Sequence, residues 1–525
     1  MIFRSPDPDV AIPQIPLTRF LLERLASQPE RPALIDGPTG RAYTNRQLAD
    51  AIERAAAGLA GRGFVKGDVM AILSPNLPEY AIAFHAVSRL GGINTTVNPL
   101  YTLEELIAQL ADAGATDLVT VPPFLDKALA AKERLGLREI FVFGQADGAA
   151  TPFSDLLATP GPAPSVPIDP RQDVVALPYS SGTTGLPKGV MLTHYNLVAN
   201  ISQTIDAIRL EADERVLAVL PFFHIYGMTV LMNMTLYQGA TVVTMPRFDL
   251  EQFLQTIQQF GVTRVYAVPP IVLALAKHPL VDQYDLSSVK VVFSGAAPLG
   301  PDVAEACARR LGCIVKQGYG LTETSPVTHC IPDRRPNKPG SVGLLVPNTE
   351  CRIVDLTTGQ EVGPNQPGEI RVRGPQVMKG YLNNLQATAE MLDAEGWLRT
   401  GDVGYADDDG YFYVIDRVKE LIKYKGFQVA PAELEALLLT HPAVADAAVI
   451  PIPDEEAGEV PKAYVVLKGE ATPSALMAFV AEHLAHYKHL RAVELVDKIP
   501  KSASGKILRR VLVERERARA AGVPT

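Results

Sequence analysis

Short apolar runs, each bounded by turn residues and followed by a segment of helical spacing, recur along most of this chain and limit what it can fold into. Residues 31–35, 68–73, 117–121 and 139–143 read as buried strands, with helices at 20–26, 45–59 and 78–90 between them. Thr102-Leu103-Glu104-Glu105 has the spacing of a capping box and opens a further helix. After a proline-rich connector at 159–164 the apolar runs resume at 173–192, 215–220, 240–245, 262–268, 289–293 and 313–317. Strands that alternate with helices are covered on both faces, which predicts an α/β chain of layered sheets, largely parallel.

From about Gly340 the pattern changes to short β segments with turns between them, as at 351–354 and 368–374, which predicts a small β-rich lobe. Beyond Asp416 a compact α+β unit is expected, with helices at 431–439, 474–484 and 507–520 and strands at 444–452, 462–467 and near Val493. The 525 residues are too many for one core. The expected division is 1–416 and 417–525.

A net charge of -9 argues against a nucleic-acid surface. The four cysteines have no metal-type spacing, which points to a reducing compartment. No apolar run is long enough for a membrane span, and Met1–Asp9 has no signal-type apolar core. The expectation is a cytoplasmic protein; oligomeric state is not legible.

Ser180-Ser181-Gly182-Thr183-Thr184-Gly185-Leu186-Pro187-Lys188-Gly189 cannot pack a core. It lies between two apolar runs and offers backbone N–H groups, hydroxyls and one cation, a composition suited to phosphate. Pro187 stands where the common G-x-x-x-x-G-K-[ST] loop needs glycine, so this is a phosphate loop of another kind, or a surface loop. Gly318-Tyr319-Gly320-Leu321-Thr322-Glu323 follows an apolar run and is either a ligand-binding strand end or a turn with a chance carboxylate. There Tyr319 could stack on a base and Glu323 could bind Mg2+. Asp402 could accept from a ribose diol or serve as a turn aspartate. The lysines of 423–428 and 502–506 suit phosphoryl chemistry, although a charge in such a loop is more often solvated surface.

Together these stretches, with 221–227, 294–300, 368–374 and 416–435, resemble the AMP-forming acyl-CoA synthetases, and within them the 4-coumarate–CoA ligase group, over nearly the whole length. The resemblance implies a large N-terminal domain and a mobile C-terminal lid hinged near 416–419. It also implies ATP, Mg2+ and CoA as reactants or cofactors, and a small carboxylic acid that becomes first an acyl-AMP and then a thioester. By the same match Ser180, Ser181, Gly182, Thr183, Thr184, Gly185 and Lys188 hold the β- and γ-phosphates. Ala297, Gln317, Gly318, Tyr319, Gly320, Thr322, Asp402, Arg417 and Lys419 bind the nucleotide, and Glu323 binds the metal. Lys506 bridges carboxylate and α-phosphate in the first half-reaction, while Lys423 and Gln428 serve the second. Lys425, Gly426 and Arg247 face CoA.

His224 is implied as gate or adenylate contact, and Tyr226, Val230, Tyr266, Phe293, Gly295, Ala296, Pro326 and Val327 as the acyl cavity. That lining is apolar and partly aromatic. Phe293 stands where the plant enzymes commonly carry lysine, and Tyr266 replaces a smaller residue near the floor. An aryl-propenoic acid such as 4-coumarate or cinnamate is the expected substrate. The alternatives are a medium-chain fatty acid, an acceptor other than CoA, or a nucleotide-binding protein without catalysis.

Overall fold

The computed structural model describes residues 1–146, 148–180, 187–425, 427–454, 456–502 and 505–520. Two large sheets carry the N-terminal part. One runs Gly380–Tyr381, Lys188–Thr193, Val174–Ser180, Ile93–Thr96, Val69–Leu73, Asp117–Thr120, Glu139–Val142 and Thr151–Pro152. The other runs Leu344–Leu345, Val327–Cys330, Ile314–Gly320, Val291–Ser294, Arg264–Ala267, Arg215–Ala218, Thr241–Thr244, Pro32–Asp36 and Ala42–Thr44. Their central strands pair in parallel, and antiparallel pairs sit towards the edges. Helix Pro78–Arg89 touches strands of both sheets. It is buried at Pro78 and from Tyr80 to Ser88, as a helix between two apolar layers must be. Thr102 forms the expected capping box: its hydroxyl accepts from the Glu105 amide at 3.3 Å, and Glu105 accepts from the Thr102 amide at 2.8 Å.

The β-rich lobe is a sheet of Glu350–Val354, Gly368–Arg373, Leu398–Ala406 and Phe412–Arg417, with Phe3–Arg4 on its edge. That first strand is too short to carry a periodic signal. It is held by pairing of Phe3 with Cys351 and by the Phe3 ring edge-on to Phe412 at 5.5 Å.

From Ile422 onwards the chain builds a separate sheet, Phe427–Val429, Ile422–Tyr424, Gly458–Leu467 and Val444–Asp454, with Ala492–Leu495 parallel to Gly458–Leu467. Its own apolar core gathers Ile422, Leu434, Leu438, Val449, Val465 and Val480. The last helix, Arg509–Ala520, covers a second small core of Ala448, Ile450, Tyr464 and Leu512. Asp416 joins the two parts: its carboxylate accepts from the Arg417 amide at 2.8 Å and from Ala432, in the first turn of helix Pro431–Thr440, at 2.9 Å. Among the described residues no helix is long and apolar enough to cross a membrane.

Candidate active site

Parallel strands bind ligands beyond their carboxyl ends, where the chain turns away and leaves backbone exposed. Strands Val291–Ser294 and Ile314–Gly320 lie side by side, with Ser294 paired to Gln317, so Gly295–Ala296 and Gly318–Gly320 emerge next to each other. A cavity opens there, lined by Tyr226, Val230, Phe293, Gly295, Ala296, Gly318, Pro326 and Val327, with His224 and Lys506 as the titratable groups beside them. Glycine is required at two of these positions. A Cβ on Gly295 would stand 2.9 Å from Cε1 of Tyr226, and one on Gly318 would stand 2.8 Å from Cε1 of Phe293. The two rings occupy the space that the missing side chains leave.

Tyr226 and Val230 sit on a π-helical segment, Tyr226–Met234, a form that often marks functional sites. The wide turn is held by side chains reaching five residues back: Asn233 donates to the Met228 carbonyl at 2.8 Å and Thr235 to that of Val230 at 3.1 Å. The Tyr226 hydroxyl donates to the Phe293 carbonyl at 3.2 Å, which fixes its ring across the cavity. Nδ1 of His224 accepts from the Tyr226 amide at 3.3 Å. Burial, and then the charge of Lys506, hold the His224 imidazole down at about 3, so it is neutral at physiological pH.

Tyr266 does not line this cavity. Its strand pairs with that of Phe293 in parallel register, Tyr266 opposite Phe293, and the two side chains share a face. The Tyr266 ring stands beside that of Phe293, 5.7 Å from it and 6.2 Å from that of Tyr226, and is wholly buried.

A polar cluster flanks the cavity. The Tyr319 hydroxyl donates to Asp402 at 2.6 Å, and Arg417 lies 3.4 Å from the other carboxylate oxygen. Burial pushes Asp402 above the ordinary carboxylate range, with Arg417 and Tyr319 pulling against it. Gln317 uses its side-chain oxygen to accept from the Leu299 amide at 3.3 Å, which shapes the turn that carries Ala297. Gly320 and Thr322 border both this cluster and the cavity. Lys506 enters from the lid. Burial and then Arg417 push its ammonium down to about 8, while Asp402, Glu323 and Glu420 favour the charged form.

Ser180 pairs with Lys188 across the hairpin of Val174–Ser180 and Lys188–Thr193. Ser181, Gly182, Thr183, Thr184 and Gly185 lie outside the described residues, as does Gly426. The Lys188 ammonium stands 5.1 Å from the ring centroid of Tyr381, and the Tyr381 hydroxyl donates to buried Glu323 at 2.8 Å. Lysine, phenol and carboxylate thus form one chain beside the hairpin of Val174–Ser180 and Lys188–Thr193. Among the described residues no group of three His, Cys, Asp or Glu could hold a metal.

The remaining predicted residues are elsewhere. Lys423 and Gln428 face each other across a hairpin and are exposed, as are Lys425, Lys419 and Arg247. Lys425 pairs with Glu456 at 2.5 Å. The lid thus presents Lys506 to the cavity and leaves Lys423 and Gln428 in solvent. Sequence reasoning missed Tyr381 and Ile208. Ile208 and Tyr381 belong to no motif, and only the fold brings them to the site.

The model of AMP-binding enzymes matches residues 21–382, and that of the AMP-binding enzyme C-terminal domain matches 433–506. The chain is 46% identical to 4-coumarate–CoA ligase 5 of Oryza sativa subsp. japonica, covering 100% of this chain and 98% of that protein. It is 42% identical to probable 4-coumarate–CoA ligase 1 of Dictyostelium discoideum, covering 97% of each. Among solved structures it resembles the anthranilate–CoA ligase AuaEII in complex with anthranoyl-AMP, with a TM-score of 0.89 and 29% identity over 97% of this chain and 99% of that one. It also resembles ATP-bound MatB from Rhodopseudomonas palustris, with a TM-score of 0.86 and 29% identity over 95% and 99% of the two chains. The chain belongs to the AMP-forming acyl-CoA synthetases, in the 4-coumarate–CoA ligase group.

Proposed function

We propose that this ligase activates an aryl-propenoic acid of the 4-coumarate or cinnamate type. The observation that carries the reading is the cavity wall: the rings of Tyr226 and Phe293 stand at two positions where Gly295 and Gly318 make room for them. Such a space suits a flat aromatic acyl group, and its lining holds no carboxylate to receive a substrate ammonium. The similarity to 4-coumarate–CoA ligases along the whole chain points the same way.

In the first half-reaction a substrate carboxylate oxygen bonds to the α-phosphorus of ATP, and the bond to the leaving pyrophosphate breaks. Lys506 would face the α-phosphate, whose oxygens gain negative charge as the new bond forms, so its ammonium would stabilise the transition state more than the ground state. Asp402, with Tyr319 and Arg417, holds the ribose and keeps the α-phosphorus in line. Lys188 and the phosphate hairpin take up charge on the leaving group. Glu323 would hold Mg2+; a single carboxylate is enough when phosphate oxygens and water supply the other ligands. The ion would supply charge neutralisation on the phosphates.

In the second half-reaction the CoA thiol gives its proton to solvent, its sulfur bonds to the acyl carbon, and the bond from that carbon to the phosphate oxygen breaks, so that AMP leaves. Nδ1 of neutral His224 already accepts from the Tyr226 amide, so its proton is on Nε2, which can donate a hydrogen bond at that stage without adding a second cation. Lys423 and Gln428 reach the adenylate only if the lid turns.

Pyrophosphate release measured across aryl and aliphatic acids tests the substrate. Cinnamate or 4-coumarate should exceed hexanoate and octanoate in kcat/KM by about tenfold or more. The reverse order would assign the cavity to medium-chain fatty acids.

A further inference from the structure

The lid must be held where Lys506 reaches the cavity, and one helix of the N-terminal part touches it at both ends. Helix Pro269–Lys277 spans about 14 Å at 1.5 Å per residue. At its start, a Cβ added to Gly505, the neighbour of Lys506, would lie 2.9 Å from Cγ2 of Val268 and 3.7 Å from Cδ of Pro270. The loop that carries Lys506 is thus pressed against the beginning of this helix. At its end, the Lys277 ammonium donates to the Leu439 carbonyl at 2.9 Å. Leu439 lies in the last turn of lid helix Pro431–Thr440, where carbonyls lack partners and the helix dipole favours a cation. A Cβ on Gly300 would meet that of Ala436 at 3.6 Å, so the same lid helix also rests on the residue preceding helix Pro301–Leu311.

We propose that helix Pro269–Lys277 is the rail on which the lid docks for adenylate formation, and that Lys277 is a positioning residue for the first half-reaction. Lys277 touches neither the cavity nor the nucleotide cluster, so it acts only through the lid. Lys468 of the lid, with like charge, and Asp302, with opposite charge, face it. The contact is solvent-accessible and made by a single side chain, which suits a latch that must open before Lys423 and Gln428 can approach. A deeply buried ion pair would hold the lid too firmly for that.

The inference rests on the two-step ligase reading, and both steps can be measured on the full-length enzyme. Lys277→Met should lower acid-dependent pyrophosphate release about two- to fivefold, the size expected for an exposed charged hydrogen bond. Thioester formation from chemically prepared acyl-AMP and CoA should be unchanged or faster. Lys277→Arg, which keeps the cation, should restore most of the first step. Equal loss in both steps would overturn the assignment in favour of a general structural role. An unaltered first step, with Lys277→Met folded as judged by its melting curve, would overturn it as well. Absence of acid-dependent pyrophosphate release in the unsubstituted enzyme would instead overturn the ligase reading, and the latch with it.

Discussion

Replacing Lys506 with alanine is expected to lower acid-dependent pyrophosphate release about 10²–10³-fold, the usual loss when one preorganised charge is taken from a developing oxyanion. The same lysine gives the reaction a pH signature. Its ammonium sits near 8 in the ligand-free enzyme because burial and Arg417 both disfavour the charge. Only the protonated form can stabilise the transferring phosphoryl group. The first step, followed as kcat/KM, should therefore hold steady below pH 8 and fall as pH rises through that value, about tenfold per further unit. Bound ATP adds negative charge beside the ammonium, so the fall in kcat should come at higher pH than the fall in kcat/KM. Lys506→Arg should lose activity through geometry but lack the alkaline fall, since guanidinium stays charged throughout. A profile that is flat to about pH 9.5 in the unsubstituted enzyme would remove Lys506 from this role.

Replacing Arg509 with alanine is expected to cost the lid about 3–5 kcal/mol, because carboxylates would be left in place without their cation. Arg509 donates to both oxygens of buried Glu435, at 2.8 and 2.7 Å, to Glu420 at 2.5 Å and to the Val449 carbonyl at 3.2 Å. Its charge also bears on Asp416, the carboxylate that fastens the hinge to helix Pro431–Thr440. Loss of the guanidinium thus unties the last helix, the first lid helix and the hinge together. Hydrogen exchange by mass spectrometry should show early opening confined to residues beyond the hinge, with the N-terminal sheets still protected. Arg509→Met combined with Glu435→Leu should recover only part of the loss: the buried Glu435 charge goes with its partner, but Glu420 keeps its charge without Arg509 and the Val449 amide loses its Glu435 acceptor. A change below about 1 kcal/mol in Arg509→Ala would mean that the network is solvated and contributes little.

The sequence made most central strands of both large sheets legible because each is a run of apolar residues that must be buried on two faces; Ile93–Thr96, with polar Asn-Thr-Thr, and the short edge strands carry no such run. The order of the strands across the sheets was not legible, since it depends on contacts between distant residues. Strand Phe3–Arg4 is a case in point: it joins the β lobe through Cys351, far along the chain. Within the site, residues in glycine-bearing motifs could be read because backbone approach and φ freedom restrict what may stand there. Tyr381 could not, because its role comes only from a strand pairing that sets it opposite Val190 and beside Glu323. Tyr266 is expected in the cavity from its match to the family, yet it is paired with Phe293 on the neighbouring strand and wholly buried beside it, outside the cavity lining. It can still set cavity depth, but only by supporting the rings of Tyr226 and Phe293. Lys423 and Lys506 show the opposite limit: both are evident as lysines in polar loops, while which of them faces the cavity is a property of lid orientation.

That orientation gives the account its most direct test. Single-turnover reactions of Lys423→Ala with acid, MgATP and then CoA should give one pyrophosphate and one acyl-AMP per enzyme at a rate within about threefold of the unsubstituted enzyme, followed by acyl-AMP that persists after CoA is added. Such a stall would show that the exposed hairpin serves only the second step. Loss of the pyrophosphate burst together with thioester formation would contradict a lid that offers its two lysines in turn.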